Sequence, residues 1–170
     1  MTPMPEVSQP EAPRHALSMT VLMTPQYANF TGNVHGGQIL KMLDEVAYAC
    51  ASKYARQYVV TLSVDRVVFR EPIHVGELVT FDAGINYVGR TSMEVGIRVT
   101  TENVATQSIR HTNTCYFTMV ALDADRRPIA VPPFEPVSQV EKRRWNDAIR
   151  RRRVTQEVEQ ALEDGQSTTP

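Results

Sequence analysis

The spacing of apolar residues changes period along this chain near residue 59. Before that point Ile39, Leu40, Leu43, Val46, Ala47, Cys50, Ala51 and Tyr54 fall on one stripe of a 3.6-residue helix. Lys41, Glu45 and Ser52 take the opposite face. The small residues Ala47, Cys50 and Ala51 let such a helix lie close against a neighbouring surface. Beyond it the period is two. Val59 to Phe69 is rich in β-branched residues and is broken by Glu71-Pro72 and Val75-Gly76-Glu77. Val79, Phe81, Ala83, Ile85 and Tyr87 alternate with polar or small residues, then Val88-Gly89-Arg90-Thr91 turns the chain. Met93, Val95, Ile97 and Val99 form the next set, and Cys115, Phe117, Met119 and Ala121 the last. These read as half-buried antiparallel strands. A further strand is expected around Ser18 to Thr24. One long helix followed by a run of strands predicts an α+β fold with the helix on one face of a sheet.

The two ends differ from this middle. Residues 1–15 carry Pro3, Pro5, Pro10 and Pro13 among polar residues and read as a disordered lead. Residues 137–162 form a basic C-terminal helix, and residues 163–170 read as a frayed tail. Lys142, Arg143, Arg144, Arg150, Arg151, Arg152 and Arg153 crowd that helix. Two readings are open for it. One is a solvated face with some pairing to Glu141 and Asp147; the other is an edge that binds phosphates.

Composition narrows the function classes. The 170 residues suit one domain, and 42% hydrophobic residues can build a real core. A formal net charge of −1 predicts no nucleic acid and no membrane partner. No apolar run approaches the ~18 residues of a membrane span, and the N-terminus lacks the basic-then-apolar pattern of a signal peptide. Cys50 and Cys115 have no metal-ligand spacing and lie on apolar faces, so no metal is expected and the compartment reads as a reducing cytoplasm.

The candidate chemistry sits between Asn29 and Asp44. Gly36 and Gly37 open the helix, where backbone N–H groups and the helix dipole favour an incoming oxygen. They could equally serve close packing. Asp44 lies at the edge of the apolar stripe, with Leu40, Ala47 and Ala51 as helical neighbours. That position predicts partial desolvation, which makes a carboxylate a better base. The bland reading is a boundary acid paired with a basic residue. Asn29 is either a turn residue or a group that orients a carbonyl or water. His35 is either a turn residue or a base.

Asn29, Gly32, Gly36, Gly37, Leu40 and Asp44 together resemble the signature of the hotdog-fold acyl-coenzyme A thioesterases, most closely the cytosolic acyl-CoA hydrolase branch. Val-Thr-Leu-Ser-Val-Asp at 60–65, Pro-Ile-His-Val-Gly-Glu-Leu-Val at 72–79 and Val-Gly-Arg-Thr-Ser-Met at 88–93 are similar to further motifs of that family. The resemblance covers residues 16–136, the expected catalytic domain.

The resemblance implies a long central helix wrapped by a curved antiparallel sheet. It also implies homodimers assembled as a trimer of dimers, with active sites at the dimer interface. Asp44 would act as base or nucleophile. Asn29, from the facing protomer, would orient the carbonyl or water. The Gly37 amide would hold the oxyanion, and Thr61 would support the water. Gly36 and His35 would border the substrate, and Gly89, Arg90, Thr91 and Ser92 would contact the coenzyme A chain. Other branches carry Phe at the place of His35, which weakens a base role there. No cofactor is implied. The substrates would be medium- to long-chain acyl-CoA, giving free fatty acid and coenzyme A. The alternatives are an acyl-CoA-binding hotdog protein without turnover and a hotdog dehydratase.

Overall fold

The computed structural model describes residues 14–65 and 67–166. The lead expected over 1–15 lies outside the described residues except for Arg14 and His15. The architecture is α+β. Strand β1 (Ala16–Leu22) runs into a single 3-10 turn at Pro25–Tyr27. Helix α1 (Gly36–Ala55) follows, then β2 (Tyr58–Val64), β3 (Leu78–Val88), β4 (Ser92–Asn103), β5 (Ser108–Leu122) and helix α2 (Gln139–Gln166). The strands form one antiparallel sheet in the order β1-β3-β4-β5-β2. This is the helix-on-sheet arrangement expected of a hotdog fold.

The buried face of α1 packs on the inward residues of β3, β4 and β5. Ile39, Leu43, Val46, Ala47, Cys50 and Ala51 meet Val79, Phe81, Ile85, Met93, Val95, Ile97, Cys115, Phe117 and Met119, all almost fully buried. Burying side chains of this size contributes about 1.5–3 kcal/mol each. One stripe residue departs from expectation. Leu40 is 39% exposed and Met42 takes its place in the core at 4%. The stripe is therefore rotated toward Met42, and Leu40 faces outward beside Asp44.

β2 is one of the two edge strands, and it ends at Val64 rather than continuing to Phe69. A bulge between Thr61 and Ser63 inserts Leu62 into the register and breaks the ladder. The bulge leaves Thr61 opposite Met119 on the α1 side while Ser63 pairs Thr118.

The second helix lies across the other face of the sheet. Ser138 and Glu141 form a capping box at its start: Ser138 Oγ accepts the Glu141 N–H at 3.2 Å, and Glu141 Oε2 accepts the Ser138 N–H at 2.8 Å. Trp145 stacks on Tyr87 with ring centroids 4.7 Å apart. Arg151 forks onto Glu94, at 3.1 Å from Nε and 2.6 Å from Nη2, and lies 3.6 Å over the Tyr116 ring. Asn86 donates to the same Glu94 at 2.8 Å. Gly96 makes this possible, because a Cβ there would collide with the Asn86 amide. The helix runs to Gln166, so it extends into the segment expected as a frayed tail from 163 onward. No helix among the described residues is long and apolar enough to cross a membrane.

Candidate functional site

The loop before α1 is built from its own side chains. Asn29 Oδ1 accepts from the Thr31 N–H at 2.9 Å, the Thr31 hydroxyl at 2.7 Å and the Asn33 N–H at 3.2 Å. Gly32 closes the turn at φ +82°, a backbone state that favours glycine. These bonds fix which way the Asn29 amide points. Its oxygen faces the loop, and its Nδ2 group is left to donate outward.

A second layer holds that loop. The Val34 N–H donates to Ile73 O at 2.8 Å, and Asn33 Oδ1 lies 2.9 Å from His74 Nδ1. Glu77, 3% exposed, accepts the His74 N–H at 2.8 Å and both Nη groups of Arg110 at 2.9 and 2.8 Å. The motif at 72–79 thus acts as a brace for the Asn29 loop. The brace residues His74, Glu77 and Arg110 were not singled out from the sequence. The buried carboxylate of a Val-Gly-Glu turn was the available signal, since a buried charge demands a cation.

At the start of α1, His35 is the N-cap. Its Nδ1 accepts the Gly37 N–H at 2.9 Å, so in this tautomer the proton sits on Nε2. The bond engages the nitrogen that a base would use and also the amide expected to hold the oxyanion.

Asp44 meets Thr61 across the gap between α1 and β2. The Thr61 hydroxyl donates to Asp44 Oδ1 at 2.6 Å and touches Met119 Sδ at 3.6 Å. Asp44 and Thr61 are exposed in the single chain, not half-buried as the edge of the stripe suggests. The surroundings are apolar all the same. Leu40 and Tyr48 stand one turn either side of Asp44, Tyr58 lies 6.5 Å from the Tyr48 ring, and Leu62 follows on β2.

The turn Gly89–Ser92 joins β3 to β4 and is tied down on three sides. The Gly89 N–H donates to Ser92 O at 2.8 Å, Thr91 O accepts from Ala121 at 3.0 Å, and Arg90 O accepts from Val131 at 3.0 Å. The basic cluster of α2 proves to be divided. Arg151 is spent on Glu94 and Tyr116, Arg150 pairs with Asp147 at 3.6 Å, and Arg153 pairs with Glu157 at 3.6 Å. Arg152 alone approaches the turn, 3.4 Å from Ser92 Oγ. A cavity of about 160 Å³ opens beside it, lined in part by Tyr87, Ser92, Arg151 and Arg152. No cluster of His, Cys, Asp and Glu among the described residues is set to hold a metal ion. Burial pushes the Cys50 thiol up to about 11 and the Cys115 thiol to about 12, as befits core residues.

A long helix on an antiparallel sheet with a carboxylate at the helix flank is the hotdog arrangement, and comparison with known proteins identifies its class. Residues 31–107 match the Thioesterase superfamily. Protein VdlD of Helicobacter pylori is 50% identical over 84% of this chain and 82% of its own. A solved hexameric acyl-CoA thioesterase is 35% identical, with a TM-score of 0.82 over 85% of this chain and 92% of its own. The acyl-CoA hydrolase of Staphylococcus aureus, solved with butyryl coenzyme A and coenzyme A, is 30% identical, with a TM-score of 0.79 over 91% of this chain and 95% of its own. Further structures of that hydrolase carry alanine in place of one aspartate, one asparagine or one threonine. The chain belongs to the hotdog-fold acyl-CoA thioesterases of the thioesterase superfamily.

Proposed function

We propose that this protein hydrolyses medium- to long-chain acyl-CoA in the cytoplasm, with Asp44 as the base at a site shared by two protomers. The contact between Thr61 and Asp44 carries this reading, because it turns a surface carboxylate into an oriented one. The residue types replaced in the S. aureus hydrolase are those of Asp44, Asn29 and Thr61, at the same intervals along the chain. The apolar surroundings formed by Leu40, Tyr48, Tyr58 and Leu62 suit an acyl chain better than a polar substrate.

The sharing follows from helix geometry. Two turns separate the glycine pair from Asp44, a rise of about 12 Å along the axis at 1.5 Å per residue. One thioester carbonyl cannot touch both ends. A second copy docked along the open edge of β2 would bring its own helix start and its Asn29 Nδ2 to the first copy's Asp44. The same docking would cover Leu62, which is 68% exposed, and Tyr58, which is 53% exposed. Assembly of three such dimers into a hexamer is the expected further step.

The reaction then needs only side chains and backbone. Asp44 takes a proton from water, and the water oxygen attacks the carbonyl carbon. The carbonyl electrons move onto oxygen, where a backbone amide at the start of α1 and Asn29 donate. The tetrahedral centre collapses, the carbon–sulfur bond breaks, and coenzyme A leaves as a thiolate. Arg152 and the turn Gly89–Ser92 hold the coenzyme A chain. Attack by Asp44 itself, through an anhydride, uses the same groups.

Thiol release measured across short, medium and long acyl-CoA tests the reading. Release without added metal, rising with chain length, is the expected result. Absence of release from every substrate would overturn it.

A further inference from the structure

A chain of side-chain hydrogen bonds runs from His74 to Asn29, and every link in it has a direction. His74 Nδ1 lies 2.9 Å from Asn33 Oδ1. Asn33 Nδ2 donates to the Thr31 hydroxyl oxygen at 3.4 Å, and that hydroxyl donates to Asn29 Oδ1 at 2.7 Å. A carbonyl oxygen only accepts, so the Asn29 end of the chain requires the Thr31 proton. The Thr31 oxygen then takes its other bond from a donor, which turns Asn33 Nδ2 toward it. Asn33 Oδ1 is left facing the imidazole, and only a ring with its proton on Nδ1 can satisfy it. The reverse arrangement is self-consistent too. A bare Nδ1 would draw Asn33 Nδ2 to itself and leave Asn33 Oδ1 facing Thr31. The Thr31 hydroxyl would then donate to Asn33 instead of to Asn29.

We propose that His74, held as its Nδ1–H tautomer, is a positioning residue for hydrolysis: it sets the direction of this chain and thereby supplies the third donor on Asn29 Oδ1. The inference rests on the hydrolytic reading, in which Asn29 Nδ2 donates to the substrate oxygen. The backbone N–H groups of Thr31 and Asn33 already hold Asn29 Oδ1 at 2.9 and 3.2 Å, so the chain does not place Asn29 by itself. Its third bond draws more of the amide's electron density onto the oxygen. Nδ2–H then becomes a stronger donor where negative charge develops. Thr31 and His74 are exposed in the single chain. A second copy seated over Asn29 would withdraw them from water, into surroundings where such bonds are stronger. The ring does this without carrying the fold. The His74 backbone is fixed separately, by its N–H on Glu77 Oε2 at 2.8 Å and by the fork of Arg110 on that carboxylate. Replacing the ring leaves that brace in place.

The tautomer is read directly by NMR of protein carrying nitrogen-15 histidine, with the His74 signals assigned by their loss in His74→Asn. At a pH well above the ordinary imidazole value of about 6.5, the expected spectrum has Nδ1 protonated and Nε2 bare. The opposite tautomer overturns the proposal whether or not any thioester is hydrolysed. Kinetics then measure what the chain contributes. Thr31→Val keeps the shape and the backbone N–H and removes the hydroxyl. Its kcat should fall about three- to tenfold, the usual contribution of one hydrogen bond, with KM nearly kept, and Thr31→Ser should restore it. His74→Asp and His74→Asn share one shape, but an ionised aspartate only accepts. Aspartate should turn the chain round and lower kcat as far as Thr31→Val does. Asparagine, which can donate from Nδ2, should recover most of that loss. Adding His74→Asp to Thr31→Val should lower kcat no further, because no hydroxyl is left to turn. Additive losses would make His74 an ordinary loop contact and overturn the proposal, as would an undiminished kcat in Thr31→Val. Asp44→Asn assayed alongside separates the two levels. Full activity there removes the hydrolytic reading itself, whereas its loss together with the opposite tautomer or additive losses removes only the role of His74.

Discussion

Thr61 and Asp44 are joined by a 2.6 Å hydrogen bond between a helix and an edge strand of the sheet. The bulge after Thr61 makes the bond possible, since it lets Thr61 face α1 while Ser63 keeps the ladder with Thr118. The hydroxyl leaves Asp44 Oδ2 as the oxygen open to water. Asp44→Asn should lower kcat by about 10²-fold or more, the usual worth of a general base, with an unchanged circular dichroism spectrum. Thr61→Ala and Asn29→Ala should lower it less. Near-full activity in Asp44→Asn would remove the assigned base.

The proposed sharing of the site between protomers makes a prediction that no single-chain site makes. Inactive Asp44→Asn and inactive Asn29→Ala proteins, mixed under conditions of subunit exchange, should regain part of the activity. Some mixed dimers contain one site with both residues intact. Exchange demonstrated by mass spectrometry without any recovery would place both residues in the site of one protomer.

Arg151 and Arg152 are neighbours with different work. Arg151→Gln leaves Glu94 buried without its cation, which should cost about 3 kcal/mol and lower Tm. Arg152→Gln should leave Tm unchanged and raise KM for acyl-CoA several-fold, most clearly at low ionic strength, where charge attraction is least screened. A KM that does not move would make α2 a purely structural strap.

The cap of α2 carries an acid-sensitive element. Backbone N–H groups of Ser138 and Val137, the Ser138 hydroxyl and His15 together hold the Glu141 carboxyl down at about 2, below its ordinary 4.5. A depressed carboxylate stabilises the folded state above its unfolded value, and that contribution is lost as pH falls. Stability of the starting protein should therefore decline between pH 4.5 and about 2, and Glu141→Gln should flatten that decline. The group is close to solvent, so the difference is small and best read from acid titrations followed by Trp145 fluorescence. Identical acid profiles would dismiss the cap.

The raised thiols of Cys50 and Cys115 predict inertness. Iodoacetamide at pH 8 should label neither in the folded protein and both after denaturation, as counted by mass spectrometry. Prompt labelling of the native chain would contradict their burial.

Much of this was legible in the sequence, for definite reasons. Alternation at Val79 to Tyr87 and at Met93 to Val99 marks strands buried on one face, and the structure has them there. The helix stripe was legible except at Leu40 and Met42. A leucine reads as core by composition, yet its exposure here depends on what flanks Asp44. The extent of β2 was overestimated because β-branched residues continue past Val64, whereas the bulge at Leu62 depends on pairing with β5. The glycine pair was legible as the start of the helix. That His35 caps the Gly37 amide was not, because it depends on the rotamer of His35. The run of arginines on α2 looked like one cluster. Only packing shows that Arg151 turns inward to Glu94 while Arg152 turns to Ser92.

Gly96 shows how little room the outer face of the sheet leaves for change. The Asn86 amide fills the space that any side chain at 96 would need, and that same amide braces Glu94 against Arg151. A methyl group at 96 would push Asn86 off Glu94 and loosen the anchor of α2. Drift among descendants is therefore tightly restricted at 96, while a few turns away the solvent-facing end of the same helix, at Val158 and Leu162, is open to almost any replacement.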